Sequence, residues 1–290
     1  MQKIASHIVP LITKPIRLQE YAVGIFTTLP TKSGLKKAIK KKRIYVNDSL
    51  ASTGLFIIGG EVITLYENPN ATVYKSFNFS LTVLFEDTYL AAIYKPASIV
   101  VSGNTFASID NALPTNLQAS TAEDAVRPRP VHRLDYPTSG VLLIGKTSSS
   151  IIALNKLFAE KTIRKTYYAI TIGNMPKQGV ISNTIAGKNA VTEYTVITSV
   201  SSNRFGCLNL VKLQPKTGRK HQLRIHLAHI GNQILGDKEH GDTDLILNGK
   251  GLYLHAASLK FIHPFTQQPV HIITELPKKF TNIFPKHKIV

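Results

Sequence analysis

Beyond residue 80, apolar positions gather in short runs rich in β-branched and aromatic residues, each closed off by Gly, Pro, Asn or Asp. Residues 81–87, 89–96, 140–147, 165–173, 190–198 and 207–215 have this form and predict strands. Helical periodicity is rarer. In residues 148–161, Ile152, Leu154, Leu157 and Phe158 recur near helical spacing, and Ser148 to Ser150 are available as N-caps. Residues 220–232 form a second candidate helix whose first half reads equally well as a strand. Regular alternation of strand and helix is lacking, so the pattern predicts an α+β fold around a mixed, mostly antiparallel sheet.

The first 66 residues read differently. Lys36, Lys37, Lys40, Lys41, Lys42 and Arg43 crowd into two helical turns and lead into the β-prone Ile44, Tyr45 and Val46. A basic helix, a strand and a turn at Asn47-Asp48 follow from this order. Gly59-Gly60 marks a hairpin-type turn before a strand at residues 62–65. A small α/β module is therefore expected over residues 1–66. Residues 67–80, polar and interrupted by Pro69, read as a linker to a larger domain at 81–290.

Composition adds a partner class. The 290 residues are 43% hydrophobic, enough for a sizeable core, and 35 Lys and Arg against 17 Asp and Glu leave a net charge of +18. Such a surplus draws polyanions, with nucleic acid foremost. A solvated helix face is the ordinary reading of a lysine run, but here no acid interrupts the basic residues and their self-repulsion favours a phosphate backbone as partner. No apolar run approaches the roughly 20 residues of a spanning helix, and the patch from Ile8 to Ile12 is broken by Pro10. Cys207 is the single cysteine, which excludes a disulfide framework and a cysteine-based zinc site. With no signal peptide evident, a cytoplasmic setting is expected.

Residues 131–140 combine His132, Arg133 and Asp135 with a tight turn at 137–140 and an apolar strand behind it. Asp135 thus sits on a loop anchored by rigid structure, where catalytic groups tend to be mounted, although alone it could equally cap the turn. Residues 215–237 gather Lys216, Arg219, Lys220 and Arg224 with His221, His226 and His229. The histidine spacing argues against a metal site, since only His226 and His229 share a helix face. Residues 215–220 match a phosphate-binding loop only loosely, lacking its first glycine.

The run HRLDYPTSGVLL, at 132–143, resembles the signature of the RluA-type pseudouridine synthases: His-Arg-Leu-Asp, two variable residues, Thr-Ser-Gly and an apolar strand. The segments around Lys95-Pro96, Lys165-Thr166-Tyr167, 217–237 and 254–264 follow in the family's order. Residues 17–66 are similar to a small RNA-binding module named after a ribosomal small-subunit protein. The resemblance implies isomerisation of uridine in RNA to pseudouridine on a pseudouridine synthase domain, without metal or cofactor. It assigns Asp135 as the carboxylate that acts at the ribose, Tyr167 as the active-site tyrosine and Arg224 as the partner of Asp135. It places Arg133, with His132 beside it, at base flipping, and RNA contacts at Lys36, Lys37, Lys40, Lys41, Lys42, Arg43, Arg219 and Lys220. Ribosomal or transfer RNA is the implied partner, the N-terminal module tilting toward ribosomal RNA. A non-catalytic RNA-binding or assembly factor on the same fold is the competing reading, and a monomer is the default. Two positions depart from the family: Ser98 stands where glycine usually follows Lys-Pro-Ala, and His240 where tyrosine is common.

Overall fold

The computed structural model describes residues 2–67 and 76–286. Residues 2–67 fold around their own apolar cluster, which runs from Val9 through Leu18, Leu35, Ile39 and Ile44 to Leu65. The basic run forms the helix Lys32–Lys40, capped by Thr31, whose hydroxyl accepts the Gly34 N–H. Leu35, Ala38 and Ile39 turn inward, which leaves Lys36, Lys37 and Lys40 exposed on the opposite face. A four-stranded sheet takes the order Lys3–Ile8, Val62–Tyr66, Ile44–Val46, Ser49–Leu50. Asn47 and Asp48 both have positive φ, as a tight turn between the last two strands requires. Gly59 and Gly60 do turn the chain, but Phe56–Ile57 pairs with Ile16–Arg17 rather than with the strand after the turn, so no hairpin forms there.

Of the expected linker, residues 68–75 lie outside the described residues. Its end belongs to the larger unit: Phe77 and Phe79 stack at 5.4 Å and pack against the apolar cluster around Leu81, Ile93 and Leu113. The larger unit is built on a ten-stranded sheet. Its main path runs Gln178–Ile181, Thr192–Ser202, Gly206–Pro215, Arg164–Ile172, Leu254–Ile262, Ser139–Thr147, Leu90–Lys95, Thr82–Glu86. Pro269–Ile273 and Ala125–Pro130 pair off this path. All of these pairings are antiparallel except the central one, Ser139–Thr147 with Leu254–Ile262. The mixed, mostly antiparallel sheet expected from the sequence is thus present, and its single parallel pair stands directly behind the Asp135 loop.

That pair is unusually close. Gly140 lies opposite Ala256 at φ +125, and a Cβ there would sit 2.1 Å from the Ala256 carbonyl oxygen, so only glycine lets the two strands meet. The helix expected over 148–161 is Ser148–Ala159, but its cap is Thr147: the hydroxyl accepts the Ser150 N–H while Ser150 Oγ accepts the Thr147 N–H. Ser148 to Ser150 are the first helical residues instead. The ambiguous stretch at 220–232 resolves as the helix Gln222–His229, entered through His221 at φ +54.

Candidate active site

A cavity of about 560 Å³ opens where the 131–138 loop, the Arg164–Ile172 strand and the start of the Gln222–His229 helix converge. Asp135, Tyr167 and Arg224 all line it. Three parts of the chain remote in sequence therefore reach one pocket.

The loop that carries Asp135 is held from beneath by Lys95. This lysine is fully buried at the end of its strand, and its Nζ donates to the carbonyls of Thr138 at 2.7 Å, Pro96 at 3.0 Å and Tyr136 at 3.3 Å. Burial pushes its pKa down to about 8, and the Asp135 charge opposes that fall. The Thr138 N–H donates to the Asp135 carbonyl and the Ser98 N–H to the Tyr136 carbonyl, closing the turn. Ser98 makes its contact at φ +65, in the left-handed region that favours glycine, which is why the family's usual residue there is the easier fit.

Arg224 departs from its expected geometry. It was expected to grip Asp135; instead its fork is on Asp237, with Nε donating to Oδ2 at 2.8 Å and Nη2 to Oδ1 at 2.6 Å, and Nη2 also donates to Glu239 Oε2 at 3.1 Å. Asp135 Oδ2 lies 4.0 Å from Nη1, within ion-pair range but beyond a hydrogen bond. The physical reason is burial. Asp237 has only 1% of its side chain exposed and cannot remain charged without a bidentate partner, whereas Asp135 faces the cavity. Burial opposes the guanidinium charge, but the hydrogen bonds and charge of Asp237, with Glu239 and Asp135 behind them, raise the pKa of Arg224 above its ordinary value. Asp237 fixes the direction of the arginine and leaves Nη1 pointing to the carboxylate in the cavity. Gly236, at φ +81 and with no room for a Cβ against the Gly251 carbonyl, brings Asp237 to this position.

Tyr167 sits at a register shift where the Arg164–Ile172 strand pairs with Leu254–Ile262, a local irregularity of the kind that re-aims side chains. Burial first, and the Asp135 charge second, raise its pKa well above the ordinary phenol value. Its hydroxyl therefore stays protonated, and a standing phenolate base is disfavoured. Stacking and hydrogen bonding are the roles this environment suits.

His132 needs correction. It lines the cavity, but its Nε2 accepts the Leu143 N–H at 3.0 Å and its ring packs 4.8 Å from that of Phe158, so the imidazole is committed to bracing the loop against the adjoining strand. Arg133, by contrast, is exposed on the cavity wall. Arg219 and Lys220 are likewise exposed and line the cavity, beside Lys161 and Lys216, which sequence reasoning had not singled out for RNA contact. In the N-terminal unit Lys41 and Lys42 are exposed, but Arg43 is half-buried with Nε donating to the Tyr66 carbonyl at 3.0 Å, and so serves that fold.

His226 is fully buried, bonded to Thr192 Oγ1 and the Asn183 carbonyl, while His229 is exposed, so these two do not form a ligand pair. His240 and Glu239, which histidine spacing along the helix does not reach, fold back onto His221 beside Asp135. Of the residues missed, Asp237, Glu239 and His240 fall within four consecutive positions; Asp237 closes the 217–237 segment, His240 was noted only as a departure from the family, and none of the three was given a role.

Two histidines, His255 fully buried and His132 half-buried, give the unit an acid limit. Burial lowers the pKa of His132 to about 3, with Lys165 adding to the effect, and that of His255 to about 4. The unfolded chain takes up these protons near 6.5, the folded chain only far lower, so the unfolded state binds more protons throughout the interval. Stability is accordingly expected to fall as pH drops below 6.5, by up to about 1.4 kcal/mol per pH unit for each histidine, levelling off below about 4 for His255 and about 3 for His132. Denaturant midpoints from pH 7 to 4 would check this: replacing His132 by asparagine should flatten the slope, and an unchanged slope would show that its protonation does not set the limit.

The cavity sets a recessed carboxylate among exposed arginines and lysines, a surface that suits a polyanionic partner, and the fold carries comparison to a specific class. Residues 89–229 match the family described as RNA pseudouridylate synthase. The ribosomal large subunit pseudouridine synthase C of Rickettsia typhi is 32% identical over 301 residues, spanning 92% of this chain and 96% of that protein. The tRNA pseudouridine synthase C of Vibrio vulnificus is 34% identical over 236 residues, spanning 71% of this chain and 95% of that one. The solved structure of human RNA pseudouridylate synthase domain containing 4 superposes with a TM-score of 0.56 at 27% identity, over 69% of this chain and 90% of its own. The chain belongs to the RNA pseudouridylate synthase family and is an RNA pseudouridine synthase, an isomerase.

Proposed function

We propose that this enzyme converts specific uridines of large-subunit ribosomal RNA to pseudouridine, with Asp135 as the group that acts on the ribose. The observation that carries the assignment is the placement of Asp135: on a loop stapled by a buried lysine, facing a cavity, with an oriented guanidinium 4.0 Å away. Breaking the bond between ribose and base nitrogen develops positive charge on the sugar, and a carboxylate beneath it can stabilise that charge, attack the ribose or take a ribose proton. The base stays in the pocket, turns and rejoins through carbon. Such an isomerisation consumes no water and transfers no electrons, so the chain's own side chains suffice for it. Tyr167 stacks on the uracil as a neutral phenol. The uridine must first leave its helix at a cost of a few kcal/mol, and Arg133 on the wall of the cavity occupies the vacated stack.

Around this site, Lys161, Lys216, Arg219 and Lys220 hold the phosphates that flank the flipped nucleotide. In the N-terminal unit, Lys36, Lys37, Lys40, Lys41 and Lys42 form the second RNA contact, across residues 1–66, and the synthase domain follows from about residue 76. Ribosomal rather than transfer RNA is favoured by the reach of the two relatives. At 92% coverage the match to the ribosomal RNA synthase necessarily enters the N-terminal unit, whereas at 71% the tRNA synthase can stop short of it. Among the described residues no helix is long and apolar enough to cross a membrane.

Mapping pseudouridines in total RNA from cells with and without the chain tests the substrate. New sites should fall in large-subunit ribosomal RNA; sites confined to transfer RNA would overturn that part of the proposal while leaving the chemistry intact.

A further inference from the structure

Beside Asp135 the chain assembles His221, Glu239 and His240, to which the chemistry proposed above gives no reacting role. His221 Nδ1 lies 2.9 Å from His240 Nε2 and 3.2 Å from Glu239 Oε1, and His240 Nε2 lies 3.8 Å from Glu239 Oε1. A divalent ion bound at about 2.0–2.1 Å with tetrahedral geometry needs ligand atoms about 3.3 Å apart. The three separations bracket that value, so small rotations of the side chains suffice to ligate one ion.

The ligands are also held from outside. The N–H groups of Glu239 and His240 both donate to Asp237 Oδ1, at 3.1 and 3.2 Å, which pins the turn that carries two of the three. Glu239 Oε2 accepts from Arg224 Nη2 and leaves Oε1 for a ligand. His221 turns its other nitrogen, Nε2, toward Asp135 Oδ1 at 3.7 Å, the carboxylate-to-histidine arrangement that orients metal-binding imidazoles. Exposure rises from 12% at His221 through 23% at His240 to 55% at Glu239, so the fourth position opens to solvent.

We infer that His221, Glu239 and His240 form a binding site for a borderline divalent ion of the Zn2+ class, and that its occupation inhibits the enzyme. Two imidazoles and one carboxylate with an open position suit Zn2+ or Co2+, whereas Mg2+ takes oxygen ligands in an octahedron and is refused, so RNA-associated magnesium does not compete. Both rings ligate as neutral imidazoles. His221 adopts the tautomer with hydrogen on Nε2, the nitrogen that faces Asp135 Oδ1 at 3.7 Å. Inhibition follows because the ion places two positive charges one imidazole away from Asp135 and engages that carboxylate as the outer partner of His221, withdrawing it from the ribose. This last step rests on the assignment of Asp135 above; the site itself does not.

The test begins without RNA. The full chain, freed of metal by chelation and titrated with Co2+ alone, should develop the visible absorption of four- or five-coordinate cobalt, saturating at one equivalent, and Zn2+ should displace it. His240→Tyr, which keeps an aromatic ring, and His240→Gln should both lose the band, with thermal melting confirming that they fold. No band in the wild-type chain, or a band that survives in a folded His240 variant, overturns the site. Single-turnover isomerisation at constant Mg2+ then reads the consequence, each protein being compared with its own zinc-free rate. Zn2+ should slow the wild type at least tenfold, reversibly on chelation, and should leave the His240 variants within about twofold. Equal inhibition of wild type and variants would place the effect on the RNA or elsewhere and overturn the inhibitory role. The cobalt readout requires no catalysis, so failure of the proposed activity and failure of the metal site are told apart.

Discussion

Asp135→Asn is expected to abolish pseudouridine formation, lowering the single-turnover rate by on the order of 10⁴-fold or more, the scale on which removal of a reacting side chain acts. RNA affinity should change little. One charge is a small part of a net +18, and it is a negative one, so the attraction for phosphate is at least preserved. The amide keeps the shape of the side chain and the loop keeps its staple, because Lys95 donates to backbone carbonyls rather than to the carboxylate. What disappears is the ability to stabilise charge on the ribose, attack it or take its proton. A rate within tenfold of wild type would remove Asp135 from the mechanism.

Arg224→Lys keeps the charge and is still expected to cost about a hundredfold in single-turnover rate with RNA affinity near normal. The guanidinium does two things at once: Nε and Nη2 hold the buried Asp237, and Nη1 faces Asp135. An ammonium is a single point and cannot span both. Held by Asp237, it leaves Asp135 without its neighbour; drawn to Asp135, it strands a carboxylate that is 1% exposed, which is costly enough to disturb the turn at 237–241. Either way Asp135 loses its orientation, and misplacement by about 1 Å is worth on the order of a hundredfold. A lower melting temperature should accompany the rate loss. Were Arg224 one more phosphate contact, weaker RNA binding at unchanged rate would be seen instead, though its side chain, 5% exposed, is poorly placed for that. Assays at saturating enzyme separate the two, since association no longer contributes.

Eight of the sixteen strands among the described residues were legible because each is a compact apolar run with turn residues at both ends, a signal local to the segment. The first strand, Lys3–Ile8, was not: its residues are half-buried or exposed, and the nearby apolar stretch drew attention as a possible membrane patch. The helix Ile109–Asn116 escaped because it contains Pro114, which ordinarily ends a helix. In the candidate site, the loop at Asp135, the strand at Tyr167 and the helix at Arg224 could be named from motif order alone. Which groups those side chains touch could not. Arg224 has three carboxylates within reach, and the choice of Asp237 is made by burial, a property of the folded chain. His132 reads as a site residue because it adjoins Arg133 and Asp135, yet adjacent residues on an irregular loop point in different directions and its ring turns inward. The cluster of His221, Glu239 and His240 joins the start of a helix to a turn eighteen residues away, and no spacing rule connects them.

The most direct measurement uses RNA transcribed with uridine tritiated at carbon 5, mixed with an excess of the chelated wild-type chain and followed through a single turnover. Forming the new carbon-carbon bond expels the hydrogen at that carbon, so isomerisation predicts release of tritium to water, in step with the appearance of pseudouridine and at about one equivalent per target site. RNA that is bound at saturation yet retains its tritium would contradict the account, and would leave this chain a binding platform on the synthase fold.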